Sequence, residues 1–347
     1  MSEALDERVL AAVEQRRAVV DEAIVEELPI KAPEQLWSAA RHLLDAGGKR
    51  LRPAMLLLVA EALSEVDPGT ADYHSFPAPD GETLDLLCAA VSVEVIHTFT
   101  LIHDDIMDDD DLRRGVEAVH RKYDTETAII AGDTLYSVGF ELLLQTEAPA
   151  DRSRDAMGML AETCTRICEG QALDVDFENR SEVLPDEYLR MIDHKTAVLY
   201  GAAASIPAIL LGADDEVVES MYQFGREVGQ AFQIHDDVLD LTTPSETLGK
   251  RRGSDLLEDK QTIITVHARE QGVDVDSLLP ETDAATVSEA DIEQAVAQLE
   301  DAGSIDFARE MSTDLVESGK DHLRTLPDND ARATLEGIAD YLVEREY

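Results

Sequence analysis

Residues 102–108 read IHDDIMD and residues 234–240 read IHDDVLD. The second phrase repeats the first with only Ile/Val and Met/Leu exchanged, and each sets three carboxylates in apolar surroundings. On a helix, residues i and i+4 share a face one turn apart. Asp104 and Asp108 therefore point the same way with Asp105 beside them, and Asp236 and Asp240 do so with Asp237 beside them. The preceding turns, FTLI and AFQI, are apolar, so each cluster is expected where buried helix meets a polar cavity. Carboxylates do not stay ionised there without cations. An oxygen-only donor set suits a hard ion such as Mg²⁺, which takes one or two carboxylates, several waters and a substrate's phosphate oxygens. Two facing clusters would grip a phosphorylated ligand through bridging metals. A calcium loop is excluded, because Ile106 and Asp109 stand where that loop needs an oxygen ligand and a glycine. Asp109 and Asp110 read as solvated surface, and His103 and His235 as helix-packing residues.

A phosphate ligand needs cations, and these are scarce: 29 Lys and Arg stand against 74 Asp and Glu, for a net charge of −45. They nevertheless cluster. GGKRLRP (47–53) carries Lys49, Arg50 and Arg52; DLRRG (111–115) carries Arg113 and Arg114; GKRRGSD (249–255) follows the second aspartate cluster, with Lys260 beyond. Arginine forks match phosphate oxygens, and lysine supplies a point charge. The overall charge repels nucleic acid and anionic lipid, making both poor partners. It also points to a salty cytoplasm, where a Debye length of roughly 3 Å at 1 M salt screens self-repulsion.

The elements that must hold these residues are helices. PAMLLLVAEALSEV, GETLDLLCAAVSVEVIHTFTLIHDDIMD, GDTLYSVGFELLLQT and RDAMGMLAETCTRICEGQALDVDFE carry apolar residues at helical spacing. No sheet is expected. Pro-, Gly-, Ser- and Asp-rich stretches at 67–81, 146–152, 181–187, 241–253 and about 271–287 read as connections. The reading is one all-α domain over 1–347, a bundle of ten or more helices. Cys88, Cys164 and Cys168 are an odd, sparse set, read as packing residues in a reducing cytoplasm rather than a disulfide framework. No uninterrupted apolar run reaches membrane-spanning length and no signal peptide is visible, so a cytoplasmic location is expected.

Two Asp-Asp-x-x-Asp motifs, the first followed by DLRRG and the second preceded by FQI, resemble the trans-type isoprenyl diphosphate synthases. The resemblance runs from GGKRLRP through EVIHTFTLIHDDIMDDDDLRRG, GDTLY, EGQALD and YLRMIDHKTAVLY to FQIHDDVLDLT and GKRRGSDLLEDKQT. KQTIIT at 260–265 departs from the family's usual Lys-x-Thr-Leu-Pro and blurs where the following helix begins. The resemblance implies an isoprenoid synthase-type helical bundle with a central cavity, a homodimer, and about three Mg²⁺ ions per site. It implies that Lys49, Arg52, His97 and Arg114 hold isopentenyl diphosphate. Arg113, Lys195 and Lys250 would hold the allylic diphosphate, with Lys260 nearby. Asp104 and Asp108 would ligate metal, as would Asp236 supported by Asp240, with Asp105, Asp237 and Lys195 in the catalytic set. Gln171, Asp174, Thr196 and Gln233 would line the cavity, or serve only as polar packing groups.

The chemistry so implied is prenyl transfer. Metal and cationic side chains neutralise the departing diphosphate. The allylic cation is attacked by the isopentenyl double bond, and a proton is then lost. The product tail would grow along the helix before Asp104. A five-carbon unit adds roughly 5 Å, about one helical turn. Phe99 and Thr100, an aromatic five positions before Asp104 and a small residue four before, resemble the archaeal geranylgeranyl type that stops at C20; aromatics at both would resemble the C15 farnesyl type. The expectation is C20, with C15 as intermediate or second product. A farnesyl synthase, a terpene cyclase and a non-catalytic subunit are the alternatives. GGKRLRP with His97 argues against the cyclase, and two intact aspartate motifs argue against the subunit.

Overall fold

The computed structural model of the protein describes residues 3–64, 66, 71–177, 180, 182–248, 251–280 and 286–344. In chain order the helices are α1 (Glu3–Glu27), α2 (Glu34–Asp45), α3 (Leu51–Ser64), α4 (Leu86–Met107), α5 (Val119–Lys122), α6 (Thr125–Leu144), α7 (Ala150–Phe177), α8 (Pro185–Ile192), α9 (Val198–Leu211), α10 (Asp215–Thr242), α11 (Ser245–Leu248), α12 (Ser254–Leu257), α13 (Ile263–Glu270), α14 (Glu289–Asp301), α15 (Ser304–His322) and α16 (Asp330–Glu344). The all-α expectation holds. The only departures among the described residues are two antiparallel hairpins of two-residue strands, β1 (Phe76–Pro77) with β2 (Thr83–Leu84) and β3 (Leu112–Arg113) with β4 (Val116–Glu117).

The chain groups into two compact units. The first comprises Met1–Cys164, Ala202–Tyr222 and Leu323–Gly337. Its axis is α4, which begins where the Asp85 carboxylate accepts the N–H groups of Leu87 (3.0 Å) and Cys88 (3.1 Å), an N-cap. Every residue from Leu86 to Ile96 is buried. A helix apolar all round needs neighbours on every side, and α1, α3 and α6 supply them. Close approach of α6 depends on two glycines. A Cβ at Gly139 would lie 2.7 Å from Ile96 Cδ1, and one at Gly132 only 2.3 Å from His103 Nε2. Ser92 Oγ donates to the Gly139 carbonyl at 2.7 Å. The Arg16–Glu61 pair is buried between α1 and α3, with the Tyr73 hydroxyl donating to Glu61 Oε1 at 2.7 Å.

The second unit comprises Thr165–Gly201, Gln223–His322 and Ile338–Tyr347. Its core joins Phe177, Tyr188, Ile192, Ile234, Val238, Ile263, Ile264, Leu299 and Ile305. Between α8 and α9 the helix widens into one π-turn, Asp193–Ala197. Gly170 of α7 faces this turn, and a Cβ there would sit 2.2 Å from Lys195 N. Gly225 of α10 packs likewise against the Tyr200 carbonyl, at 2.2 Å. The start of α13, left open by KQTIIT, is fixed by a reciprocal cap. Thr262 Oγ1 accepts from Thr265 N (3.3 Å), and Thr265 Oγ1 accepts from Thr262 N (3.0 Å).

Two sequence expectations need correcting. Leu86–Met107, Thr125–Leu144 and Pro185–Leu211 are long and apolar enough to cross a membrane by length and composition, although no uninterrupted apolar run is. In the first and third, 78% of the apolar window is buried within the structure, so core packing accounts for their character. Of the cysteines read as packing residues, Cys88 and Cys164 are buried but Cys168 is exposed.

Candidate active site

The first aspartate cluster closes α4. Asp108 is its C-cap, with its N–H donating to the Asp104 carbonyl at 2.9 Å. Both carboxylates are half-buried and one turn apart. Asp105 is turned inward and fully buried, and Arg113 Nε donates to its Oδ1 at 2.5 Å. Burial pushes its pKa up to about 6 against the opposing charge of Arg113. Asp105 Oδ2 has no hydrogen-bond partner among the described residues.

DLRRG acts as a hairpin. Arg113 pairs with Val116 across a two-residue turn, Arg114–Gly115, in which both φ are positive, at 55° and 77°. Such a turn matches the strand twist and sends the two arginines to different places. Arg113 folds back on Asp105 and on Asp110 at 2.8 Å, with Asp104 at 3.8 Å. Arg114 reaches the α2–α3 connection, donating to the carbonyls of Gly47 (2.6 Å) and Leu43 (3.2 Å) and to Glu94 Oε1 (3.4 Å).

The GGKRLRP cations separate in the same way. Lys49 is exposed and Arg52 half-buried, with Arg52 Nη1 donating to His97 Nε2 at 3.1 Å. Burial and the adjacent Arg52 charge hold His97 down, at a pKa of about 4, so the ring is neutral at pH 7. Arg50 goes inward instead, to Glu94 Oε1 (2.5 Å), Asp21 (2.8 Å) and the Leu44 carbonyl (2.7 Å). Sequence reasoning missed Glu94. An acidic residue three positions before His97 is its only signal. Phe99 is 9% exposed and meets the rings of His103 (5.1 Å) and Tyr136 (5.3 Å) edge-on. Thr100 Oγ1 is turned back onto the His97 carbonyl at 2.7 Å.

In the second unit, Asp236 is half-buried, whereas Asp237 and Asp240 point into the protein. Asp237 accepts from the Tyr188 hydroxyl and from Gln233 Nε2 at 3.1 Å. Burial, then the nearby Asp255 charge, raises its pKa well above the usual carboxylate range. Asp240 caps α12, accepting from Ser254 Oγ at 2.6 Å and from Asp255 N at 3.1 Å. The π-turn presents Lys195 and Thr196. Lys195 Nζ meets Asp174 Oδ2 at 2.5 Å, and Thr196 Oγ1 donates to Gln233 Oε1 at 3.0 Å. Gln171 is half-buried, with no partner for Nε2 among the described residues. Lys260 pairs with Glu258 at 2.9 Å. Lys250 lies outside the described residues.

This donor set fits a hard divalent ion shared with a ligand. Among the described residues no group of three or more His, Cys, Asp or Glu side chains forms a ready-made cage. Asp104 and Asp108 offer two carboxylates on one edge, leaving room for the waters and phosphate oxygens Mg²⁺ prefers.

The polyprenyl synthetase family model matches residues 33–299. The chain is 64% identical over 341 residues to the geranylfarnesyl diphosphate synthase of Natronomonas pharaonis, covering 98% of this chain and 99% of that one. It is 48% identical to the geranylgeranyl diphosphate synthase of Methanosarcina mazei, covering 96% and 97%. The solved geranylgeranyl pyrophosphate synthetase of Geoglobus acetivorans superposes with a TM-score of 0.85 at 41% identity, covering 96% and 99%. The acidic composition accords with a relative from Natronomonas. Matching motifs, helical architecture and near-complete coverage agree: the chain belongs to the polyprenyl synthetase family and is a prenyltransferase.

Proposed function

We propose that the protein joins isopentenyl diphosphate to dimethylallyl, geranyl or farnesyl diphosphate and releases geranylgeranyl diphosphate, C20. One observation carries the transfer reading. Asp104 and Asp108 stand half-buried one turn apart at the end of an apolar helix, with Arg113 folded against it. Asp104, Asp108 and Asp236 would hold Mg²⁺, with Asp240 in support through the loop it caps, and the metal would supply charge neutralisation on the diphosphate. By the family resemblance, Arg113, Lys195 and Lys250 would hold the allylic diphosphate, with Lys260 in support. Lys49, Arg52, His97 and Arg114 receive isopentenyl diphosphate. Gln171, Asp174, Thr196 and Gln233 set polar walls around the reacting carbons. The isopentenyl double bond is itself the nucleophile, so no protein nucleophile is required, and the proton released after carbon–carbon bond formation goes to the departed diphosphate. The whole chain acts as one catalytic domain.

The product length rests on Phe99, a buried ring held edge-on by His103 and Tyr136. A C25 product is the second reading, favoured by the name of the Natronomonas relative. Apolar residues exposed on α6, Ile129, Ile130 and Leu144, support assembly as a homodimer; the proposed cytoplasmic location rests on family likeness alone.

The test is a product assay in molar KCl with Mg²⁺, labelled isopentenyl diphosphate and either dimethylallyl or farnesyl diphosphate. C20 alcohol from both starters after dephosphorylation supports the proposal. C25 selects the second reading, and C15 moves the floor to another residue. Substrate binding without condensation would overturn the proposal and point to a chain that awaits a partner to turn over.

A further inference from the structure

We propose that Glu94 is a positioning residue for the isopentenyl diphosphate subsite. The carboxylate gathers the arginines that shape the connection carrying Lys49 and Arg52, and it touches no substrate itself. The proposal rests on the functional reading above and deepens it. A buried carboxylate amid the cations of a diphosphate subsite would weaken their pull, so its presence calls for a structural reason. Glu94 is 2% exposed. Burial alone would push its pKa up, but the guanidinium charges of Arg50 and Arg114 hold it well below the carboxylate range, so it is ionised, while the neutral His97 ring adds no charge at pH 7.

Its two arginines continue into the backbone at the last turn of α2 and the connection that follows it. Arg50 Nη2 donates to the Leu44 carbonyl at 2.7 Å, and Arg114 Nη1 donates to the carbonyls of Leu43 and Gly47. The Arg114 guanidinium also lies flat on Gly48, where a Cβ would come within 3.0 Å of Cζ. Gly47 takes a φ of 87° freely, but Arg50 and Arg114 have positive φ, 49° and 55°, that a non-glycine residue rarely adopts. Such backbone conformations persist where the surroundings over-determine them. Glu94 also stands one turn before His97, whose Nδ1 is 3.9 Å from Glu94 Oε1 and whose Nε2 accepts from Arg52. One buried anion thus fixes both sides of the cluster. Lys49 and Arg52 would otherwise share their region with two mobile arginines.

The test compares wild type with Glu94→Asp, which keeps the charge but draws it back from both arginines, and with Glu94→Gln. A misplacement of about 1 Å in a subsite can cost on the order of 100-fold. We expect the isopentenyl diphosphate KM of Glu94→Asp to rise about tenfold or more, with the allylic KM within about twofold. Calorimetric binding of isopentenyl diphosphate to the full chain should weaken in parallel, and this readout needs no turnover. Equal changes in both KM values, or an unchanged isopentenyl affinity, would overturn the positioning role. Condensation by the wild type reads the function separately. If Glu94→Gln fails to fold, Glu94→Asp decides alone.

Discussion

Replacing Phe99 by Ala removes a ring wedged between His103 and Tyr136 and opens space along α4. The dominant alcohol should lengthen by one or more five-carbon units, read by chromatography. An unchanged product would take Phe99 out of the floor. His97 gives a second prediction, with a definite sign. In the folded protein burial and the adjacent Arg52 charge hold it at about 4, below the ordinary histidine value of 6.5. From pH 6.5 down to about 4 the unfolded chain takes up a proton that the native ring refuses, so this residue's stability contribution is present above 6.5 and lost as pH falls. At 1.36 kcal/mol per unit the loss reaches roughly 3 kcal/mol. His97→Gln should therefore flatten the decline in urea-unfolding stability over that window relative to wild type; parallel curves would refute it. Asp104 and Asp108 were legible in the sequence because helical spacing alone puts them together, whereas Arg113 is brought to them by a hairpin that periodicity does not show. The inward turn of Asp237 was not legible either. It depends on Tyr188, 49 positions away, and no local pattern encodes that. Arg114 and Arg50 looked like free cations, and only the fold reveals Glu94 and the loop carbonyls that engage them.

At the scale of elements, helix periodicity made the architecture readable, and glycine spacing carried a signal the helix reading left unused. Gly132 and Gly139 face α4, and Gly170 faces the π-turn. Each stands where a neighbouring side chain or backbone comes too close for a Cβ: Ile96 at Gly139, the His103 ring at Gly132 and the Lys195 backbone at Gly170. A π-turn cannot be read from apolar spacing, because one extra residue per turn leaves the flanking pattern intact; such turns gather at functional sites. Here it presents Lys195 to Asp174 and Thr196 to Gln233. Gly170→Ala would put a methyl 2.2 Å from Lys195 N. Backbone, rather than a flexible side-chain tip, must then move. The variant should lose about 1–3 kcal/mol of stability, as overpacked cores do, and on the order of 100-fold in kcat through displaced Lys195. Wild-type kcat in a folded Gly170→Ala protein would show that the π-turn does not position the lysine. Short hairpins escape periodicity for a different reason: two-residue strands have no period, and only Arg-Gly at the turn marks β3 and β4.

At the scale of the whole molecule, the charge of −45 sets the conditions under which any of these measurements can be made. Carboxylates are spread over the surface, whereas the cations are largely committed to named partners: Arg113 to Asp105, Arg121 to Asp109 and Asp111, Arg180 to Glu187 and Lys320 to Asp340. These pairs offset only part of the repulsion, since exposed pairs are worth little. The remainder must be screened by solution ions. The Debye length is about 10 Å at 0.1 M salt and about 3 Å at 1 M. Neighbouring surface carboxylates therefore interact across the first distance and hardly at all across the second. Unfolding spreads the same charges apart, so low salt favours the unfolded chain. Lowering KCl from molar to 0.1 M should cut the melting temperature by roughly 10 °C or more. Replacing several exposed Asp or Glu residues remote from both aspartate motifs by Asn or Gln should recover much of that loss at 0.1 M, with little gain at 1 M. Scanning calorimetry at matched ionic strengths reads both effects. A neutralised variant that gains equally at low and high salt would refute charge repulsion as the cause, because repulsion between surface charges is screened at 1 M salt.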